Sequence, residues 1–256
     1  LIMKIELLDN ERIDDLEYKG LKLIQNVEGF CFGIDSILLT NFAKNIKNNC
    51  KVIDLGTGTG IIPILLSKKT NAEKLVGVEV QEEVANMAKR SVFLNELENK
   101  IEILNENILN LKETYKAKEF DIVVSNPPYK KLNTGILNKE NKKLISRHEI
   151  TASLEDFISV SSYLLKDFGE LYMVHRTERL VDLFYLLRKY NIEPKNIRFV
   201  CSNKNKESKL VLIKAIKCGK PFLNIEKNLY IYDENGEYTD EIYEIYEKNK
   251  WKINLK

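Results

Sequence analysis

The chain has 256 residues, 44% of them hydrophobic and 30% charged, with a formal net charge of +2. That suits one large domain, or one domain with small extensions, around a proper core. No apolar run nears the ~18 residues of a membrane-spanning helix, so the chain reads as soluble, and so balanced a charge names no partner by itself.

The first twenty residues carry scattered acids and no small-residue cleavage site, so a cytoplasmic protein without a signal peptide is expected. Cys31, Cys50, Cys201 and Cys218 stand far apart with no C-x-x-C pair, and His148 and His175 are equally scattered. Structural zinc sites use closely spaced ligand pairs, so no metal is expected and the thiols read as reduced.

From Lys51 onward, short apolar runs alternate with helix-length amphipathic stretches. In chain order, "KVIDLG" is a strand, "GIIPILLSKK" a helix, "KLVGVEV" a strand and "EEVANMAKRSVFLNE" a helix. "KIEILNE" and "FDIVVSN" follow as strands, "SLEDFISVSSYLLKD" as a helix, "GELYMVH" as a fifth strand and "RLVDLFYLLRKY" as a further helix. Strands separated by helices imply right-handed crossovers and an α/β, doubly wound, mostly parallel sheet. Near-continuous apolar strands suit a sheet covered on both faces.

The end breaks that alternation. "KNIRFVCS" and "SKLVLIKAIK" are joined only by the polar turn "NKNKE", which is too short for a crossover and forces an antiparallel hairpin. A parallel sheet with an antiparallel last strand differs from the all-parallel sheet of dehydrogenases. Lysines gather at Lys130–Lys143 and Lys204–Lys209, where solvated loops and nucleic-acid contacts are both open, and acids gather in "YDENGEYTDEIYEIYE".

Gly56, Gly58 and Gly60 occupy the turn after the first of these strands, where doubly wound folds bind ligands. A dinucleotide fingerprint fails there: counted from Gly56 its third glycine falls on Ile61, and counted from Gly58 on Pro63. A phosphate-cradling loop also fails, because no Lys followed by Ser or Thr closes the turn. What remains is D-x-G-x-G-x-G with an acid, Glu79, ending the second strand. A carboxylate there can accept both ribose hydroxyls of an adenosine, and Asp54 can orient an ammonium group through water. Both features suit S-adenosylmethionine.

"SNPPYKK", Ser125 to Lys131, ends the apolar run "FDIVV". Proline fixes φ and donates no N–H, so Pro127 and Pro128 stop the strand with Asn126 before them and Tyr129 after. Asn126 offers a side-chain carbonyl and Pro127 a backbone carbonyl, two acceptors able to take both hydrogens of an exocyclic amine. Pro128 stiffens the turn, and Tyr129 supplies a ring on which a base can stack.

With the glycine loop, Glu79 and the N-P-P-Y tetrad in this order, the chain resembles the class I S-adenosylmethionine-dependent N-methyltransferases. It is most similar to the bacterial tRNA(Val) adenine-37 N6-methyltransferases. "GFCFGIDSILL", Gly29 to Leu39, matches that family's segment before the glycine loop, which helps cover the methionine part of the cofactor, and "GEYTDEIYEIY" resembles its closing stretch. The resemblance spans nearly the whole chain. It implies a Rossmann-like methyltransferase fold with a seven-stranded sheet and a transferase acting in tRNA processing and RNA modification.

Carried onto this sequence, the resemblance implies Asn126, Pro127, Pro128 and Tyr129 as catalytic residues. Asp54, Gly56, Thr57, Gly58, Gly60, Glu79, Val80, Asn107, Ile108 and Asn126 would bind the cofactor. Tyr129, Lys130, Lys131 and Arg147 would bind substrate, a tRNA anticodon loop whose target base leaves its stack. Asn107 is a departure, because such enzymes usually carry an Asp there to accept from the adenine amino group. The expected organisation is an N-terminal extension over 1–48 packing on the cofactor side, a methyltransferase domain over 49–220 and a C-terminal extension over 221–256, acting as a monomer.

Three other functions bear comparison. Release-factor glutamine methyltransferases also use N-P-P-Y, but they carry a separate helical domain where only some fifty residues precede the glycine loop here. A non-catalytic RNA-binding scaffold of the same fold would have no use for an intact tetrad. Guanine-modifying ribosomal RNA enzymes usually have Phe in place of Tyr.

Overall fold

The computed structural model describes residues 6–28, 33–129 and 152–247. The chain opens with an antiparallel hairpin, β1 (Glu11–Asp15) and β2 (Lys22–Asn26), followed by helix α1 (Ile34–Phe42). The alternating part runs β3 (Lys51–Leu55), α2 (Ile61–Lys69), β4 (Lys74–Glu79), α3 (Glu82–Leu94), β5 (Ile101–Asn105), a short α4 (Leu111–Thr114) and β6 (Phe120–Ser125). It continues with α5 (Leu154–Leu164), β7 (Leu165–Arg176), α6 (Leu180–Lys189), β8 (Ile192–Cys201) and β9 (Ser208–Lys217). Short strands β10 (Asn224–Ile225) and β11 (Leu229–Tyr230) and helix α7 (Asp240–Ile245) complete it.

The main sheet is ordered β5-β4-β3-β6-β7-β9-β8, with β10 and β11 pairing along the outer edge of β8. Every neighbouring pair from β5 to β7 is parallel. Strand β9 runs antiparallel between β7 and β8, so the last of the seven long strands is inserted rather than added at the edge. The order reverses at β3, which has β4 on one side and β6 on the other. Doubly wound sheets open a crevice at such a reversal, at the carboxyl ends of the strands.

Residues alternate between two cores. Val52, Leu75, Ile122 and Val124 face the layer built with α1, α2 and α3, while Ile53, Val76, Val78 and Val123 face the layer of α5 and α6. Both faces of the sheet are therefore buried, as the continuous apolar runs require. Helix α5 is fixed at its start by a reciprocal cap, in which Ser153 accepts from the Asp156 N–H and Asp156 from the Ser153 N–H.

Two boundaries differ from the sequence expectation. Helix α5 stops at Leu164 instead of running to Asp167, and β7 begins at once, with a register shift against β6 between Phe120 and Ile122. Phe168 takes φ 64° inside this irregularity, and a Cβ on Gly169 would lie 2.9 Å from two backbone carbonyl oxygens. Amphipathic periodicity continues past Leu164, but the bulge takes those residues.

The β1–β2 hairpin has no counterpart among the elements read from the sequence. It docks on α3: Ser91 Oγ accepts from the Ile24 N–H, and the Asn95 side-chain amide pairs with both backbone groups of Lys22. Arg90 holds the half-buried Glu11 carboxylate in a two-pronged ion pair that keeps its pKa below the usual range. At the other end of the chain, the tyrosines of the acidic stretch pack on one another. Tyr232 stacks on Tyr238 at 5.4 Å, and Tyr238 stacks on Tyr246 at 6.0 Å.

Candidate active site

Strand β3 pairs with β6 so that Leu55 lies opposite Ser125, and the Ser125 hydroxyl donates to the Leu55 carbonyl at 2.8 Å. The chain leaves these two strands as the glycine turn and as the tetrad. Gly56 and Asn126 therefore emerge side by side at the switch point. Two motifs seventy residues apart in sequence meet because one parallel register aligns the ends of their strands.

On the glycine side, Gly56, Gly58 and Gly60 all take positive φ, which glycine adopts without steric cost. The N–H groups of Gly56 and Thr57 both donate to the Val78 carbonyl, at 3.0 and 2.9 Å, which folds the turn back over β4. A Cβ on Gly77 would sit 2.8 Å from the Thr57 hydroxyl, so the strand beneath must be bare for the turn to lie this low.

Asp54 is 1% exposed, and neither of its carboxylate oxygens has a hydrogen-bond partner among the described residues; the buried Thr57 hydroxyl is equally unpartnered. Burial pushes the Asp54 carboxyl up to about 7, with the nearby Glu79 charge adding and the Thr57 hydroxyl opposing without reaching hydrogen-bond geometry. Buried polar groups are nearly always paired. Orphaned acceptors under a glycine turn fit a ligand that brings donors or a positive charge.

Glu79 ends β4 with one carboxylate oxygen accepting from the Gly58 N–H at 3.1 Å and the other from the Gln81 N–H at 3.0 Å. A carboxylate has about four acceptor positions, so this leaves room for a ribose diol. The Asn105 amide ties the Glu79 and Val80 carbonyls at 3.0 Å each, a brace that the sequence did not announce. Val80 is exposed and Ile108 buried, flanking the same crevice edge. Asn107 Oδ1 accepts from the Leu109 N–H at 3.0 Å, capping a single helical turn. That cap uses one of the two lone pairs with which Asn107 would accept from an adenine.

On the tetrad side, the Tyr129 hydroxyl lies 2.6 Å from Asp35 Oδ2 and 2.8 Å from Asn126 Oδ1, while Asn126 Nδ2 donates to Ser36 Oγ at 3.2 Å. Pro127 is buried and Pro128 exposed. The Tyr129 ring meets His175 edge-on at 5.3 Å, and the Arg176 guanidinium lies over it at 5.0 Å. Burial, then the Asp35 carboxylate, holds the Tyr129 hydroxyl above the usual phenol range, with Arg176 opposing.

His175 is 1% exposed at the end of β7. Burial, then the Arg179 charge, pushes it down to about 4, so the ring is neutral near pH 7. Its Nδ1 accepts from the Arg176 N–H at 2.8 Å, which puts the ring proton on Nε2.

Lys130, Lys131, Arg147 and His148 lie outside the described residues, as do Gly29 to Phe32 of the "GFCFGIDSILL" segment. Lys204, Lys206 and Lys209 are exposed on and beside the turn between β8 and β9. That turn rises from the same sheet edge as the tetrad, since β8 is parallel to β7, and Thr177 beyond β7 donates to the Ser208 carbonyl at 2.7 Å. Sequence reasoning missed Asp35, Ser36 and Arg176 as neighbours of the tetrad. The first two stand in the quoted segment but were given only a share in covering the cofactor. Among the described residues, no group of His, Cys, Asp and Glu could hold a metal ion, and no helix is long and apolar enough to cross a membrane.

The family model for the methyltransferase small domain matches residues 33–183. A protein of Glaesserella parasuis named tRNA1(Val) (adenine(37)-N6)-methyltransferase is 30% identical over 226 residues, 87% of this chain and 91% of that one. A protein of Porphyromonas gingivalis with the same name is 28% identical over 206 residues, 78% of this chain and 79% of that one. Among solved structures, one described as a predicted O-methyltransferase from Agrobacterium tumefaciens superposes with a TM-score of 0.65 at 19% identity, covering 83% of this chain and 95% of that one. A SAM dependent methyltransferase from Aquifex aeolicus gives 0.53 at 16% identity, over 72% and 92%. At such identities these two speak for the fold alone. The matched span starts at Gly33, just before the helix that contacts the tetrad, and takes in the glycine turn, Glu79 and β7 with His175 and Arg176: the chain belongs to the methyltransferase small domain family.

Proposed function

We propose that the protein methylates the N6 amino group of an adenine in tRNA, adenine 37 of a valine tRNA, using S-adenosylmethionine. The observation that carries this reading is the meeting of two features at one switch point: an orphaned carboxylate under a glycine turn, and the Asn-Pro-Pro-Tyr tetrad at the end of the neighbouring strand. The relatives' shared name supplies the substrate class.

Asp54, Thr57 and the loop amides would hold the methionine part of the cofactor, and Glu79 the ribose. Bound there, the cofactor supplies an electrophilic sulfonium methyl. The adenine amine is a poor nucleophile because its lone pair is delocalised into the ring. Asn126 Oδ1 and the Pro127 carbonyl accept its two N–H hydrogens, which favours a pyramidal nitrogen with its lone pair directed outward. After transfer, the surplus proton passes to water. Positioning of this kind supplies up to ~7–11 kcal/mol of a barrier. His175, neutral and buried, adds a proton-bearing Nε2 near the ring without adding charge. Exposed lysines on the β8–β9 turn give an RNA backbone something to follow along the same edge.

The test is to treat total RNA from cells lacking the gene with purified protein and labelled cofactor, then digest it and identify the modified nucleoside. N6-methyladenosine in a tRNA fraction is the expected product. A whole lysate of the same cells is treated in parallel, and label in its protein fraction with none in RNA would favour the glutamine-methylating alternative.

A further inference from the structure

The first turn of α1 reaches into the tetrad through two consecutive residues. Asp35 meets the Tyr129 hydroxyl at 2.6 Å, and Ser36 accepts from the Asn126 amide nitrogen at 3.2 Å. We propose that Asp35 is a positioning residue for methyl transfer: by taking the Tyr129 hydroxyl proton into its own hydrogen bond, it leaves the Asn126 carbonyl oxygen free for the target amine. The inference rests on the reading of Asn126 as that acceptor.

A phenol has one proton to donate, and here two oxygens compete for it, Asp35 Oδ2 at 2.6 Å and Asn126 Oδ1 at 2.8 Å. Hydrogen bonds to a carboxylate are shorter and about twice as strong as those between neutral groups. The proton therefore sits toward Asp35. Ser36 holds the nitrogen end of the amide, so the oxygen end is the one that faces Tyr129. With a neutral amide in place of the Asp35 carboxylate the charged acceptor is gone, so the Tyr129 proton bonds the Asn126 oxygen on equal terms and competes with the adenine N–H for that atom. Deprotonation of Tyr129 gives no escape, since burial and Asp35 hold its proton well above neutral pH.

Gly33 is built for this arrangement. A Cβ there would collide with Asp35 Oδ1, although φ −97° and ψ 170° are open to any residue. The glycine gives the folded-back carboxylate its space, not the backbone its conformation.

The experiment measures single-turnover transfer at saturating RNA and cofactor for the wild type, Asp35→Asn, Tyr129→Phe and the double variant. Calorimetry with S-adenosylhomocysteine and RNA binding are measured on each. Asp35→Asn should slow transfer about tenfold, the upper end of the worth of one neutral hydrogen bond, with both affinities unchanged. In the Tyr129→Phe background the same substitution should change the rate less than about twofold, because no phenol proton is left to redirect. Gly33→Ala should reproduce the Asp35→Asn loss with Tyr129 present and lose its effect with Phe at 129. Equal losses in both backgrounds, no loss with Tyr129 present, or a loss accounted for by weaker cofactor binding would each overturn the inference. A wild type that transfers no methyl group to RNA would overturn the functional reading itself, and this inference with it.

Discussion

Replacing Asp54 by Asn keeps the shape of a fully buried side chain and removes its charge. Burial raises the wild-type carboxyl from 3.8 to about 7, the Glu79 charge adds to the rise, and Thr57 opposes it. A carboxyl whose folded pKa lies above its unfolded value holds its proton longer in the folded state. Its contribution to stability is full below 3.8 and is lost as pH rises through about 7. Between about pH 5 and about pH 8 that loss is about 2–3 kcal/mol as a ceiling, because each pKa unit is worth about 1.36 kcal/mol. Asn titrates nothing. Asp54→Asn should therefore gain on the wild type by up to that amount over the same interval, seen in paired urea or thermal unfolding curves. In a chain of this size each kcal/mol moves the midpoint by about 2–4 °C. The variant should also bind S-adenosylhomocysteine more weakly, and wild-type affinity should rise with pH through about 7 as the carboxyl loses its proton to solvent and the carboxylate can pair with the ligand's ammonium group. Parallel stability curves for the two proteins would refute the buried-charge reasoning. Unchanged cofactor affinity in the variant would remove Asp54 from the site.

Glu79→Ala should weaken S-adenosylhomocysteine binding by about 1.5–3 kcal/mol, the range for hydrogen bonds to a charged group, and calorimetry with NAD should show no binding to the wild type. Thermal melts of that variant are the control, since Glu79 also holds the Gly58 and Gln81 N–H groups. His175 has a folded pKa pushed down to about 4 from 6.5, so its contribution is present above 6.5 and lost as pH falls toward 4. His175→Gln should lack that acid loss, and a pH-independent difference between the two proteins would refute it. Replacing Lys204, Lys206 and Lys209 together by Ala should flatten the log–log salt dependence of tRNA binding by about 2, at about 0.7 per phosphate contact, without touching cofactor affinity. An unchanged slope would move the RNA path away from the β8–β9 turn.

The sheet was legible because its signals are local and repeated. "VIDL", "LVGVE" and "DIVVS" are short apolar runs separated by amphipathic helices, and the polar turn "NKNKE" could only close a hairpin. The position of β9 between β7 and β8 was not legible, because nothing local says which neighbour a strand will choose. The β1–β2 hairpin was missed for a related reason. Its strands, "ERIDD" and "KLIQN", are mostly polar, and they hold their place through Ser91, Arg90 and Asn95, some seventy to eighty residues away. The glycine turn, Glu79 and the tetrad could be read because each needs a particular residue type at a fixed spacing. Asp35 could be quoted but not placed, since its hydrogen bond to Tyr129 spans 94 residues. Asn107, expected to meet an adenine, also serves a local need as the cap of its own turn.

The central claim is that Asn126 acts on the nucleophile and not on the binding of RNA. Its most direct test is single-turnover methyl transfer by Asn126→Ala, at saturating cofactor and tRNA, beside equilibrium tRNA binding by the same variant. The rate should fall by about 10²–10³, the usual loss for one oriented hydrogen-bonding group at a reacting centre, with tRNA affinity within about threefold of wild type. Transfer at the wild-type rate, or a loss of binding that matches the loss of rate, would contradict it.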